Sequence, residues 1–154
     1  MMVRPNSDRP AKATVTPTIT AGAYTANDVI GGLLTFTLAN SRGADGMVRS
    51  VRIADRDNEK AAVKLWLFDD LPQVIADNAA FAPPDSDIAK CIGIIAIAAA
   101  DYTTSTGNAL GAKHDQGIDF TDTNGTLYGY LVADATPTYS GTTDLTITIT
   151  AYLL

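Results

Sequence analysis

The C-terminal residues alternate between apolar and polar side chains with a period of two. Leu145, Ile147, Ile149, Ala151 and Leu153 are apolar, and threonine occupies most of the positions between them. Successive side chains of a strand point to opposite faces of the sheet, so this pattern predicts a strand with one buried and one exposed face. The last residues of the chain are therefore expected to be tied into a sheet.

Shorter runs with the same period predict further strands. They begin near Thr14, Leu34, Val51 and Val63 and continue over residues 92–98, 117–120 and 127–133. Clusters of Gly, Asn, Asp and Pro separate these runs, as is typical of turns. With the C-terminal strand, about eight strands are expected. The polar residues 57–60 predict a hairpin between the third and fourth strands.

Some of these strands are apolar on both faces. Trp66 and Phe68 stand opposite the leucines of their strand, Tyr128 and Tyr130 do the same in theirs, and residues 92–98 place isoleucine on both faces. A strand of this kind needs cover on both sides. Two covers are open: a second subunit, for which aromatic side chains are favoured anchors, or the chain's own connection over residues 70–90. A short helix is predicted within that connection, over residues 73–80.

Composition supports an all-β fold in one domain. Sixteen of the seventeen acidic residues are Asp, only two residues are Gln, and twenty are Thr. Helix surfaces favour Glu, Gln, Lys and Arg, whereas Thr favours strands and Asp favours turns. We therefore expect an antiparallel β-sandwich over residues 14–154, and its long connection is typical of Greek-key and jelly-roll sandwiches. Residues 1–13 are expected to form an extended N-terminal arm.

The N-terminal arm carries Arg4, Arg9 and Lys12 together with two prolines. It has no apolar stretch of the kind found in secretory signals, and we expect it to be dispensable for folding. It either forms a disordered terminus or docks on a neighbouring molecule. The longest apolar run, residues 91–100, is too short to cross a bilayer as a helix. We therefore expect no membrane partner. We expect the chain to be synthesised in the cytoplasm of a host cell.

Charge and chemistry exclude several classes of function. The chain has 11 Lys and Arg against 17 Asp and Glu, and this net charge of −6 argues against nucleic acid as a partner. A single Cys and a single His exclude internal disulfides and Cys/His zinc sites. The sequence has no Gly-x-Ser-x-Gly motif that would supply a serine nucleophile for His114. Asp55, Asp57 and Glu59 have the spacing of the first ligands of a calcium-binding loop, but the glycine that such a loop needs is missing. No catalytic, cofactor or metal site is expected, and the protein is not expected to be an enzyme.

One basic cluster remains, formed by Arg49, Arg52, Arg56, Lys60 and Lys64. The acids interleaved with it over residues 55–59 weaken its field. It is either a solvated face balanced by those acids or a contact surface for an acidic partner protein.

Five segments resemble the sequences of small structural proteins of tailed bacteriophages. They are YTANDVIGGLLTF (24–36), LWLFD (65–69), FAPPD (81–85), LYGYLVA (127–133) and TPTY (136–139). Together they are distributed over most of the chain from Tyr24 onward. The family that they resemble is that of the head decoration, or cement, proteins.

The resemblance implies a jelly-roll sandwich that sits as a homotrimer on the outer surface of a phage capsid. It would bind the major capsid protein where capsomers meet and hold the shell against the pressure of packaged DNA. Trp66, Phe68, Tyr128 and Tyr130 are then candidates for contacts between subunits, and Arg4, Arg9 and Lys12 for contacts with the shell. A phage tail or fibre protein that contacts the host surface, a carbohydrate-binding sandwich and an enzyme remain as alternatives.

Overall fold

The computed structural model describes residues 9–38, 44–122 and 125–153. Within these residues the chain forms ten strands, one short α-helix and one turn of 3₁₀ helix. The strands are β1 (Arg9–Val15), β2 (Val29–Thr37), β3 (Ala44–Asp55), β4 (Val63–Phe68), β5 (Cys91–Ile97), β6 (Tyr102–Ser105), β7 (Asn108–Lys113), β8 (Ile118–Asp122), β9 (Thr126–Ala133) and β10 (Leu145–Leu153). Helix α1 is Asp85–Ile88, and the 3₁₀ turn is Ala99–Asp101.

The strands pair in a nested order, in which strands near the two ends of the sequence pair with each other and strands nearer its middle pair in turn. β1 pairs with β10, β2 with β9, β3 with β7 and β4 with β5, and all four pairs are antiparallel. This nested pairing produces a large sheet of order β1-β10-β3-β7-β6 and a small sheet of order β2-β9-β4-β5, with β8 added against β3. Eight strands in two such sheets are the jelly-roll arrangement. The predicted all-β antiparallel sandwich is confirmed, and β6 and β8 extend it.

The main core lies between the two sheets. All five apolar residues of the C-terminal pattern are buried there, as the period of two predicts. The inward side chains of the small sheet meet them, among them Leu34, Phe36, Leu65 and Leu131. The inner face of each sheet is thereby covered by the other sheet, which leaves the two outer faces for other contacts.

The predicted hairpin over residues 57–60 is wrong, because β3 and β4 belong to different sheets. The polar residues instead turn the chain from one sheet to the other. Asp55 is buried, and its carboxylate accepts the backbone N–H groups of Asp57 at 3.0 Å and Lys60 at 2.8 Å. A period of two identifies strands but carries no information about which sheet each strand joins.

The first strand begins further upstream than the predicted Thr14, within residues expected to belong to the N-terminal arm. β1 starts at Arg9 and runs antiparallel to β10 in unbroken register from Arg9 against Leu153 to Val15 against Ile147. Ala11 and Ala13 pack on the core, and these small side chains made the strand hard to recognise. Arg9 and Lys12 therefore lie in a strand at the edge of the large sheet, and deleting residues 1–12 would remove part of it. Arg4 lies outside the described residues.

The connection between β4 and β5 is the longest in the described part of the chain. The predicted helix over residues 73–80 is absent from it, and its helical residues are those of α1, preceded by the two prolines Pro83 and Pro84. The described residues contain no helix with the length and apolar character needed to cross a membrane.

Candidate functional site

Residues 69–90, which we call the cap, lie across the outer face of the small sheet. A second hydrophobic cluster forms beneath the cap, separate from the main core. Its buried members are Val29, Phe68, Phe81, Tyr130 and Val132. Partly buried side chains pack around them: Leu33, Trp66, Ile75, Cys91 and Tyr128. Of the two covers that the sequence left open for the apolar outer face, the chain supplies the cap itself.

Phe81 is the aromatic anchor of the cap. Its ring centre lies 4.9 Å from that of Trp66 and 5.6 Å from that of Tyr130. Tyr130 in turn makes an edge-on contact with Phe68 at 6.0 Å. Aromatic pairs at these separations are stabilising beyond the area that they bury. Phe81 therefore joins the cap to side chains of two strands, β4 and β9.

Tyr130 also binds the backbone of the cap. Its hydroxyl donates to the carbonyl of Gln73 and accepts the backbone N–H of Ile75 at 3.0 Å. Burial raises the pKa of Tyr130, so the side chain keeps the proton that it donates. These bonds satisfy two backbone groups of an irregular segment, which burial would otherwise leave without partners.

Asp77 joins the cap to the segment before β2. Its carboxylate accepts the Thr20 hydroxyl at 2.6 Å, the Tyr24 hydroxyl at 2.7 Å and the backbone N–H of Gly31 at 2.6 Å. Burial and the bond to Asp77 raise the pKa of Tyr24. Gly31 has a φ of +85°, and a Cβ at this position would lie 2.5 Å from Pro17, so only glycine fits.

Asp87 closes the two ends of the cap onto each other. It is buried, and its carboxylate accepts the backbone N–H of Gln73 at 2.7 Å and pairs with the Lys90 ammonium at 3.0 Å. Lys90 also donates to the carbonyl of Leu71 at 3.0 Å. The bond from Gln73 and the bond from Lys90 hold the pKa of Asp87 below its ordinary value of 3.8.

The lowered pKa of Asp87 predicts a pH dependence of stability. A carboxyl whose folded-state pKa is depressed stabilises the fold above its unfolded-state pKa, and that contribution is lost as the pH falls through the folded-state pKa. We expect urea unfolding to show wild type more stable than Asp87→Asn at pH 7. The difference should shrink as the pH falls below about 4. A constant difference across that range would contradict the assignment.

The structure changes the prediction for the four aromatic subunit contacts. Phe68 and Tyr130 are fully buried under the cap, so neither is available on the surface of a single chain. Trp66 and Tyr128 are half-buried beside them, and their contact with another subunit stays a prediction. The sequence pattern identified an apolar outer face correctly, but it could not show that the cap covers most of it.

The outer surface of the cap carries exposed apolar side chains. Five large hydrophobic residues are exposed among the described residues, and three of them lie on the cap: Leu71, Val74 and Ile88. Val74 is 70% exposed. The bonds from Asp87 and Lys90 to residues 71–73 keep the two ends of the cap together. The exposed side chains of Leu71, Val74 and Ile88 therefore belong to one segment whose ends are joined by hydrogen bonds. No sequence period marks them, because they lie outside the strands.

The fold divides the basic cluster between two sheets. Arg49 and Arg52 lie on β3 in the large sheet, whereas Lys64 lies on β4 in the small sheet and pairs with Asp134 at 3.7 Å. Arg49 pairs with Asp115 at 3.6 Å and lies over the ring of Tyr152. The prediction that these five basic residues form a single cluster is therefore wrong.

The reactive side chains are dispersed. Across residues 9–38, 44–122 and 125–153, no three His, Cys, Asp or Glu side chains come together as metal ligands would. Burial raises the pKa of the Cys91 thiol, which disfavours the nucleophilic thiolate. His114 is exposed on the connection between β7 and β8. The described residues offer surfaces for contact more clearly than they offer a reaction centre.

Comparison with known proteins adds a likeness in fold alone. No protein family matches the sequence, and no curated protein does so. Among solved structures, a chain from the crystal structure of tomato aspermy virus superposes with a TM-score of 0.42 and 9% sequence identity, covering 99% of this chain and 80% of that chain. At this TM-score the likeness supports no inference about function.

Proposed function

We propose that the protein is a structural component of a tailed-phage virion, a head decoration protein that binds the outer surface of the capsid as a homotrimer. It contacts the major capsid protein where capsomers meet and stabilises the shell against the pressure of the packaged DNA. It acts by binding and carries out no reaction. The fold alone does not select this role, because jelly rolls serve many functions.

The observation that carries the proposal is the meeting of the five phage-like segments in one place. Three of them contain most of β2, β4 and β9, neighbours in the small sheet, and a fourth places Phe81 of the cap on those strands. The fifth is joined to the first, since Tyr139 packs edge-on against Tyr24 at 5.9 Å. The resemblance thus follows the small sheet with its cap, together with the tyrosine pair beside it, Tyr24 and Tyr139, which belongs to the main core.

The exposed apolar residues of the cap favour binding over catalysis. Leu71, Val74 and Ile88 are exposed on the two ends of the cap, which the bonds of Asp87 and Lys90 hold together. Apolar side chains presented on an ordered surface are typical of contacts between proteins. They supply the subunit contact that Phe68 and Tyr130, being buried, do not.

Imaging of purified virus particles tests the proposal. We expect cryo-electron microscopy of the phage that encodes the chain to show density for the sandwich on the outside of the head. Particles made without the protein should lose that density and release DNA at a lower temperature. Density on the tail or on fibres would favour the alternative role at the host surface, and its absence from particles would refute the proposal.

The trimer is tested separately on the purified protein. We expect light scattering to give three times the mass of one chain, and Val74→Asp to shift the mass towards that of one chain because it places a charge in the proposed contact. Thr106→Asp, at an exposed turn between β6 and β7 of the large sheet, is the control and should leave the trimer intact. The mass of a single chain at every concentration would contradict the trimer.

A further inference from the structure

The outer side of the large sheet carries threonine side chains along β1 and β10. On β10 the outward residues are Thr146 and Thr150, which are partly exposed, and Thr148, which is buried; they alternate with the buried isoleucines of the core. On β1, Thr14 lies 3.1 Å from Thr148 and Thr16 lies 2.8 Å from Thr146, measured between their hydroxyl oxygens. We call this surface, together with the outward residues of β3 and β7 beside it, the threonine face.

Three cations lie along β10 on the threonine face. Arg52 pairs in register with Thr148, and Lys12 pairs with Thr150 on the other side of β10. Arg56 reaches the same face at its end, where its guanidinium donates to the Thr146 hydroxyl at 2.9 Å and to the Thr143 carbonyl at 3.1 Å. The three cations therefore border β10 along one side of a sandwich whose net charge is −6.

Among the described residues, none of these three cations forms an ion pair, and Arg56 is held only by its two hydrogen bonds; the ion pairs there use Arg49, Lys64, Lys90 and Lys113.

The carboxylates at the borders of the face are already engaged. Asp144, just before β10, accepts the N–H of Gly141 at 2.7 Å within its own turn, and Asp115, beyond the end of β7, pairs with Arg49. The outward residues beside Thr146, Thr148 and Thr150 on β3 and β7 include no carboxylate: Ser50, Arg52, Ala54, Leu110 and Ala112. Two exposed acids, Asp45 and Asp119, lie further along the same sheet, where β3 pairs with β8.

The face is also ordered before any partner arrives. Threonine is stiff at its first side-chain torsion, and the hydroxyl pairs fix it further, so the threonines between the cations lose little side-chain entropy on binding. A concavity of about 290 Å³ lies at one end, lined by Ala54, Arg56, Ser105, Asn108 and Leu110 among others. Its exposed lining is mainly apolar and includes Asp55, so the cations of the face, rather than this concavity, are the candidate contacts for carboxylates.

We propose that the threonine face binds an acidic protein surface, with Lys12, Arg52 and Arg56 pairing with its carboxylates. Building on the proposed function, this surface belongs to the shell on which the protein sits. Three cations match a local acidic patch, whereas DNA binding draws on many phosphate contacts that an acidic chain does not supply. Four strands at a spacing of about 4.8 Å give a face about 14 Å wide. Such a face is small, so firm attachment comes from several copies binding at once.

The first experiment measures binding to a fluorescent decaglutamate peptide at low salt. Lys12→Glu with Arg52→Glu is the test variant, since neither side chain makes an ion pair within the described residues. Lys60→Glu with Lys64→Glu is the control, because it changes the net charge equally and lies away from the face. Thermal unfolding checks that both variants are folded.

We expect the wild type and the control to bind the peptide, and the test variant to bind at least about tenfold more weakly. Added salt should weaken the binding of the wild type, and a short DNA duplex should bind less tightly than the peptide. Equal binding by the test variant and the control, absence of peptide binding by the wild type, or tighter binding to DNA would each overturn the inference.

The second experiment uses phage heads made without the protein. Loss of head binding by the test variant and not by the control supports the inference. If the test variant binds heads as well as the wild type, the threonine face is not the contact and the proposed function stands. If no form of the protein binds heads, the proposed function fails, and the peptide measurement alone decides whether the face recognises acidic surfaces.

Discussion

Replacing Phe81 with alanine is expected to open the cap. The Phe81 ring is buried between Trp66 and Tyr130, and its removal leaves a cavity where the cap is anchored to two strands. Truncation of a buried phenylalanine costs about 3–5 kcal/mol. Because the cluster beneath the cap is separate from the core between the sheets, most of this loss should appear as local opening, with the sandwich still folded.

Trp66 makes this opening directly measurable, since it is the protein's one tryptophan and contacts Phe81. We expect its fluorescence in Phe81→Ala to shift to longer wavelength in native buffer, and the cap to be cut by protease at a concentration that leaves the wild type intact. Phe81→Leu, which keeps most of the apolar volume, should behave nearly as the wild type. Unchanged fluorescence and urea midpoint in Phe81→Ala would show that the ring is not the anchor.

Replacing Asp77 with alanine is expected to be nearly as damaging. The substitution removes the acceptor for three donors at once, the hydroxyls of Thr20 and Tyr24 and the N–H of Gly31. Hydrogen bonds to a charged group contribute about 1.5–3 kcal/mol each, and their contributions are not additive when they share one carboxylate. We expect a loss of about 3–5 kcal/mol in the free energy of unfolding, since Tyr24 is buried and its hydroxyl would keep only part of its bonding.

Urea unfolding of two further variants separates the bonds from the charge. Asp77→Asn keeps one acceptor oxygen but turns an amide N–H₂ towards donors, so its stability should lie between those of Asp77→Ala and the wild type. Asp85→Ala, an exposed acid on the same cap, should change stability by less than about 0.5 kcal/mol. If Asp77→Ala and Asp85→Ala cost the same, the three bonds do not hold the cap.

The two substitutions also bear on the proposed subunit contact. Both release the segment that presents Leu71, Val74 and Ile88. A trimer built through the exposed side of the cap should therefore dissociate in Phe81→Ala and in Asp77→Ala while the sandwich remains folded. The stability of the cap and the assembly of the trimer would then depend on the same contacts of Phe81 and Asp77.

Much of the sandwich was predictable because a strand is recognised from the alternation of side chains within a few consecutive residues. The alternation from Leu145 to Leu153 predicts β10 and its buried face from side-chain chemistry alone, and the apolar residues on both faces of β4 and β9 predict a covered outer face. The strand β1 was recognised only in part, since alanine at positions 11 and 13 gives a weak alternation. The chemistry of Asp77 was not predicted at all, because its three donors are distant in sequence.

The sequence by itself determined the strands, their buried faces and the need to cover the outer side of the small sheet. The tertiary structure decided what covers that side, because the sequence favoured the chain's own loop and a neighbouring molecule alike. It also decided which cations share a surface: Lys12 and Arg52 stand 40 positions apart in sequence and flank the same strand, while Lys64 lies in the other sheet. The period of side chains along a strand is a local property, whereas the neighbours of a strand depend on how the whole chain rolls up.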